Sequence, residues 1–398
     1  MTTSRTRPGT TLAARLLDPE LYRTDPHPLY VRLRQEAPVA WNEQSGFWAV
    51  SRYADVVTVE SDPRTFCAGK GILTDEIGLD YESPPTMMHT DPPAHTRYRR
   101  LVQPGFKPSV TRDLEPVIRA RAVSLIEKIE PGRPTDVVQA LSVPFPLLVI
   151  SEILGVPEDE WRRCYEWSEA VIPGATDWPE ERRNALMGEM VGYLLEATKQ
   201  RRRAPRDDVL SGLATVTSDG DTLSDDELAM FLVQLLVAGN ETTRNMLSGG
   251  LVALAGAPEQ WGRVVAGGDI FHTAVEELLR FTTPVISFMR TATTDTVLGG
   301  QEIAAGEPVL MLFASADRDE AVFGPTAGVL DVGRDPNPHM AFGFGIHFCL
   351  GAALARLEGR IVLEELAARF SRIERSGDVE LSPSSVIAGV RKAELSFS

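Results

Sequence analysis

Phe342-Gly-Phe-Gly-Ile-His-Phe-Cys-Leu-Gly351 is the stretch on which the reading of this chain turns. Three glycines, Gly343, Gly345 and Gly351, permit a tight backbone and the close approach of something flat. Cys349 stands just before a helix expected to start near Leu350. The unpaired N–H groups and the dipole of a helix N-terminus favour a thiolate. Phe342, Phe344 and Phe348 are expected to shield the sulfur from water. A shielded, hydrogen-bonded thiolate on a glycine-rich turn has the chemistry of an iron ligand. Three other readings compete. A free cysteine is often a small buried hydrophobe, and Cys67 and Cys164 are read that way. A zinc site wants a second cysteine nearby, which the sequence lacks. A catalytic thiol wants a base; His347 is two residues away, but neighbours at that spacing in an extended turn need not face one another.

Residues 350–370, after the loop, read as a long amphipathic helix. Upstream, Ser224 and Glu227 have the spacing of a capping box. They open the clearest helix in the chain, which runs to about residue 255, before Gly256 and Pro258. That is ~30 residues, or ~45 Å of helix. Residues 228–238 are apolar nearly all round, which places this helix at the centre of a large domain. Ala238-Gly-Asn-Glu-Thr-Thr-Arg-Asn245 then interrupts it with polar residues. Gly239, Asn240 and Thr242 are poor helix formers. Burying Glu241 without a partner would be costly. A helix that had simply reached solvent would not return to Met246, Leu247 and Leu251. Stability given up in mid-helix points to function.

Elsewhere, residues 46–52 read as a strand, 53–60 as a short helix and 69–88 as a long irregular loop. Pro93 starts a helix carrying His95, Arg97, Arg99 and Arg100. Residues 109–199 are mostly helical, with a break at 172–179, and 207–217 form a further short helix. Residues 273–281 form a helix stopped by Pro284. Short strands are expected near 296–298, 302–303 and 309–312, irregular turns over 319–338, and strands around a turn over 379–398. The pattern is mainly α with a minority of sheet. No repeat or long linker divides the 398 residues, so one domain over 1–398 is expected, with residues 1–15 as a flexible tail.

Composition sets further limits. With 43% hydrophobic and 24% charged residues, the chain is neither disordered nor a disulfide-dense miniprotein. Lysine plus arginine number 40 against 56 acids, a net charge of −16, which argues against nucleic acid or anionic lipid as the main partner. Three cysteines make no disulfide framework and suit a reducing cytosol. Residues 1–17 lack an apolar signal core. The most apolar stretch, 141–156, is broken by Pro144, Pro146, Ser151 and Glu152, so it makes no plain helix across a bilayer of ~30 Å. A soluble, cytoplasmic protein with no membrane partner is expected.

The cysteine stretch resembles the heme-binding loop of the cytochrome P450 family, F-x-x-G-x-x-x-C-x-G, at every fixed position. The remaining motifs follow in the family's order and cover nearly the whole chain. The resemblance implies a single mainly α domain, a helical triangular prism around heme b with a small β-rich region. It implies Cys349 as the metal ligand, with Phe342, Gly343 and Gly351 around the cofactor. Ala238 to Thr242 is similar to the acid–alcohol motif A-G-x-[D/E]-T. That makes Glu241 and Thr242 the catalytic pair and puts Ala238 and Gly239 beside the oxygen pocket. Glu277-Leu-Leu-Arg280 resembles the structural E-x-x-R pair, with Arg334 as its third member. His95 and Arg99 resemble H-x-x-x-R and, with Arg290 and His347, are implied to hold the two heme propionates. One departure is Asp317, where the family often has Asn.

The function implied is a heme-thiolate monooxygenase that hydroxylates or epoxidises a hydrophobic small molecule with O2. Thiolate ligation favours O–O cleavage. Electrons would come from NAD(P)H through a ferredoxin and its reductase, docking near Arg97, Arg99 and Arg100. A peroxide-using or isomerising heme-thiolate enzyme, a non-catalytic heme sensor and a thiol hydrolase are the alternatives. The substrate pocket is expected from residues 69–88 and 171–183, with Val237, Ala238, Thr242, Val285, Ile286, Phe288 and Ile387. The phrase 238–245 looks like that of relatives acting on steroids and branched lipids, and enzymes of polyketides and terpenoids share much of it.

Overall fold

The computed structural model describes residues 7–76, 86–157, 160–171, 178–206 and 208–398. In chain order the described α-helices begin with α1 (Thr10–Ala13), α2 (Pro19–Tyr22), α3 (His27–Glu36), α4 (Tyr53–Ser61), α5 (Ala94–Val102) and α6 (Pro108–Asp113). They continue with α7 (Glu115–Ile126), α8 (Pro144–Leu154), α9 (Trp161–Val171), α10 (Glu180–Arg203), α11 (Val209–Thr215) and α12 (Asp225–Ala255). The last are α13 (Pro258–Val265), α14 (Ile270–Thr282), α15 (Phe313–Ala316), α16 (Glu320–Phe323) and α17 (Ala352–Arg369). The strands are β1 (Val39–Asn42), β2 (Phe47–Val50), β3 (Phe66–Cys67), β4 (Thr135–Asp136), β5 (Ser287–Ala292), β6 (Thr296–Leu298), β7 (Gln301–Ile303), β8 (Pro308–Leu312), β9 (Ile373–Leu381) and β10 (Val390–Phe397).

The capping box forms as expected. Ser224 Oγ accepts from the Glu227 N–H at 3.1 Å, and Glu227 Oε2 accepts from the Ser224 N–H at 2.8 Å. The helix it opens, α12, has 31 residues and packs against α8, α9, α10, α14 and α17. One large apolar core joins these helices to α5 and α7. A five-stranded sheet, in the order β1-β2-β8-β5-β3, stands beside it. Successive side chains of a strand face opposite ways. Phe47, Ala49, Leu310 and Leu312 therefore join the N-terminal helices in one cluster, while Trp48, Val50, Val309 and Met311 join another. The C-terminal hairpin β9–β10 takes β4 as a third strand.

Three expectations need correction. Residues 7–15 are packed, not a loose tail: Leu12 and Ala13 are buried, and the Arg7 guanidinium lies 3.7 Å from the Trp41 ring centre while pairing with Glu307. Cation–π contact and an apolar helix face anchor them. The helix after the cysteine starts at Ala352, not Leu350. Strand β5 was not expected; its buried Arg290 hides the alternation. The break at 172–179 lies mostly outside the described residues, as does the middle of the 69–88 loop.

Glu277 and Arg280 are fully buried and bidentate, with both N···O distances at 2.7 Å. Arg334 Nε donates to Glu277 Oε2 at 3.1 Å, and Arg280 Nη1 donates to the Asp317 carbonyl at 2.8 Å. Buried ion pairs persist when their remaining donors and acceptors are satisfied. The carboxylate of Asp317, also buried, accepts from the Met340 N–H at 2.6 Å and from Thr283 Oγ1 at 3.1 Å. This network carries α14 directly to the segment that enters the cysteine loop.

Candidate active site

The cysteine loop closes on itself where the Cys349 N–H donates to the Phe342 carbonyl at 2.9 Å. Gly343 and Gly345 have φ of 67° and 66°, a region that favours glycine. A Cβ on Gly345 would overlap the Glu60 carbonyl, and one on Gly343 would stand 3.3 Å from Glu60 Oε2. At these two glycines α4 makes a close approach. Phe342 is buried, 6.1 Å from the Phe348 ring, but Phe344 and Phe348 are exposed. Only one of the three aromatics expected to shield the sulfur lies inside.

Burial pushes the Cys349 thiol above its ordinary value, and the Gly351 N–H, Arg99 and Arg356 offset only part of that. The helix begins three residues on, at Ala352.

Around the loop the structure brings His95, Arg99, Arg290 and His347 together. The His95 and His347 rings are 4.4 Å apart. Burial, with Arg99 second, lowers His95; burial, with Arg290 next, takes His347 down to about 3. Arg99 Nη1 donates to the Phe348 carbonyl at 2.8 Å. Arg290 Nη2 donates to Glu60 Oε1 at 2.7 Å.

On α12, Thr242 Oγ1 donates back to the Ala238 carbonyl at 2.7 Å. Ala238 is exposed and Val237 and Thr242 are half-buried, although Leu228, Ala229, Phe231 and Leu232 of the same helix are buried. A Cβ on Gly239 would stand 3.3 Å from Ile150 of α8, so α8 packs closely against this position. Glu241 is buried but not partnerless. Arg244 Nη1 reaches Glu241 Oε1 at 2.9 Å and Glu169 Oε1 of α9 at 2.7 Å. Burial raises the Glu241 carboxyl, Arg244 opposes this, and Glu169 adds to it.

Of the expected pocket walls, Val285 and Ile387 pair across an isolated bridge, and Phe288 lies 6.2 Å from Phe313. Ile286 does not join them. It is buried with Leu12, Met289 and Leu312 on the other side of the sheet. Reasoning from sequence also missed Glu60. Its one signal is a carboxylate in the last turn of a helix, where the dipole disfavours negative charge.

Heme fits these residues. His95 Nε2 and His347 Nε2 are buried with no hydrogen-bond partner among the described residues. They lie beside two arginines, as the carboxylates of a flat dianion require, and next to a soft thiol ligand. That chemistry defines a heme-thiolate protein. The family model for cytochrome P450 matches residues 270–396. Linalool 8-monooxygenase of Pseudomonas putida is 38% identical over 378 residues, covering 90% of this chain and 92% of its own. Steroid C26-monooxygenase of Mycolicibacterium smegmatis is 34% identical over 374 residues, covering 92% of each. A solved cytochrome P450 of Mycobacterium marinum, in complex with pseudoionone, has a TM-score of 0.89 at 33% identity, covering 99% of this chain and 100% of its own. The chain belongs to the cytochrome P450 family. Its class is heme-thiolate monooxygenase, with heme b as cofactor. Among the described residues no helix is long and apolar enough to cross a membrane.

Proposed function

We propose that this protein hydroxylates or epoxidises an apolar small molecule of terpenoid or steroid type, using O2 and electrons from NAD(P)H through a ferredoxin and its reductase. The observation that carries the reading lies midway along α12, where Ala238 is exposed and the half-buried Thr242 donates its hydroxyl to the Ala238 carbonyl. Heme, when bound, supplies the oxidation chemistry. Cys349 ligates it and gives up its proton on doing so. His95, Arg99, Arg290 and His347 hold its propionates. Val237, Val285, Phe288 and Ile387 exclude water from the substrate. Thr242 holds a proton at its Oγ1, and Glu241, kept near its protonated form by burial and Glu169, resupplies it.

Linalool and steroid relatives support an apolar substrate. Three free cysteines support a cytoplasmic setting. The arginines of the docking patch first expected make surface ion pairs. Arg97 pairs with Asp221 and Glu227, and Arg100 with Asp219. We place the ferredoxin near the start of α17, at a groove of about 240 Å³ lined by Arg112, His272, Arg356 and Arg360 beside Glu115, with Arg356 also paired to Glu276 and Arg360 to Glu115 and Glu364. An acidic partner suits that surface. The test is turnover with ferredoxin, reductase and NADPH over a panel of terpenes and steroids. Expected is a product carrying one atom of isotopically labelled O2; peroxide-driven turnover alone would refute the reading.

A further inference from the structure

Glu60 is a buried carboxylate that neither the fold network nor the reaction has used. Its side chain is 2% exposed, and a buried charge is costly unless paired. Its Oε1 accepts from Arg290 Nη2 at 2.7 Å. Its Oε2 accepts from the Phe344 N–H at 3.1 Å. The backbone of Glu60 also sets the limit that keeps residue 345 a glycine. One carboxylate thus joins three segments remote in sequence: the end of α4, strand β5 and the cysteine loop.

We propose that Glu60 is the positioning residue of the heme cradle, holding Arg290 in register with the cysteine loop and setting the net charge that the heme carboxylates meet. The proposal rests on the reading of Arg290 as a propionate partner. An arginine has five N–H donors in a rigid fork. Arg290 spends one nitrogen on Glu60 and donates from Nη1 to the Met289 carbonyl at 2.7 Å, which leaves donors for an anion. Beside the guanidinium groups of Arg99 and Arg290, the Glu60 carboxylate sets one buried negative charge against the cradle's two arginines. Two propionates therefore meet less positive charge than the two arginines alone would present. The excess negative charge stabilises the ferric form over the ferrous.

Two variants separate charge from position. Glu60→Gln removes the charge and keeps the shape. The iron reduction potential of the purified holoprotein should move to more positive values, with the carbon monoxide band unchanged. A wild-type potential in Glu60→Gln overturns the proposal. Glu60→Asp keeps the charge but retracts it from Arg290. Its potential should stay near wild type while heme passes to apomyoglobin roughly tenfold faster, the size of one charge-assisted bond. Wild-type release in Glu60→Asp overturns the positioning role, even if thermal stability falls. Arg290→Ala tells the two readings apart. If it too releases heme at the wild-type rate, the propionate assignment fails; if it alone speeds release, only the role of Glu60 fails.

Discussion

Glu358 offers a test that needs no assumption about the reaction. It lies on α17, 2% exposed, and its carboxylate accepts from Thr243 Oγ1 at 3.0 Å. Burial pushes its pKa from 4.5 up to about 8, and the Thr243 hydroxyl offsets only part of the shift. Between those values the folded protein keeps a proton that the unfolded chain has released. Stability therefore falls as pH rises through that window. One pKa unit is about 1.4 kcal/mol, so the interval from pH 5 to 7, wholly inside the window, is worth about 3 kcal/mol. Glu358→Gln removes the ionisation, keeps the volume and still offers Thr243 an acceptor. The assay is the urea midpoint of variant and wild-type holoprotein at pH 5, 6 and 7. The difference between them cancels the contribution of heme and of other titrating groups. It should grow in favour of the variant with each step in pH and level off above about pH 8. A difference constant from pH 5 to 7 refutes a neutral buried acid at this position. Glu276 gives the opposite sign. Burial pushes it up, but Arg356 and His339 together bring it down to about 2. Its stabilisation is present above its unfolded pKa and is lost as pH falls toward 2.

The remaining predictions concern the site and its frame. Cys349→His should abolish the red-shifted Soret band of the reduced carbon monoxide complex, and Cys67→Ser should leave it intact; the spectrum decides. Thr242→Ala should keep NADPH consumption but release hydrogen peroxide, with coupled turnover down ~10²-fold, the usual size for one acid–base element. Product formed per NADPH consumed is the measurement. Glu277→Gln leaves Arg280 buried without its counter-charge, a loss of about 3–5 kcal/mol. The yield of soluble holoprotein should collapse, while the surface change Glu20→Gln should not alter it.

What the sequence makes legible, and what it hides, is shown by two pairs with one spacing. Glu277 and Arg280 stand at i and i+3, as do Glu241 and Arg244. Spacing puts Glu277 and Arg280 on one helix face, and the motif they resemble marks the pair as structural. Glu241 is expected to act with the adjacent Thr242, and that expectation gives it no partner. Yet the physical rule, that residues three apart on a helix are neighbours, applied equally to both. A partner for Glu241 was therefore available from spacing alone. The third member, Glu169, was not, because it comes from another helix 75 positions away at the Arg244 contact. The same limit separates Arg290 from Glu60. A chain segment announces its period, its caps and its turns, so α12 and the cysteine loop were legible. It does not announce which distant carboxylate will be buried against it. That choice follows from packing: α4 comes so close to the cysteine loop that Gly345 has no room for a side chain, and Glu60 is carried inward with it. Once inside, the carboxylate must find donors, and the Arg290 guanidinium and the Phe344 amide are those it meets.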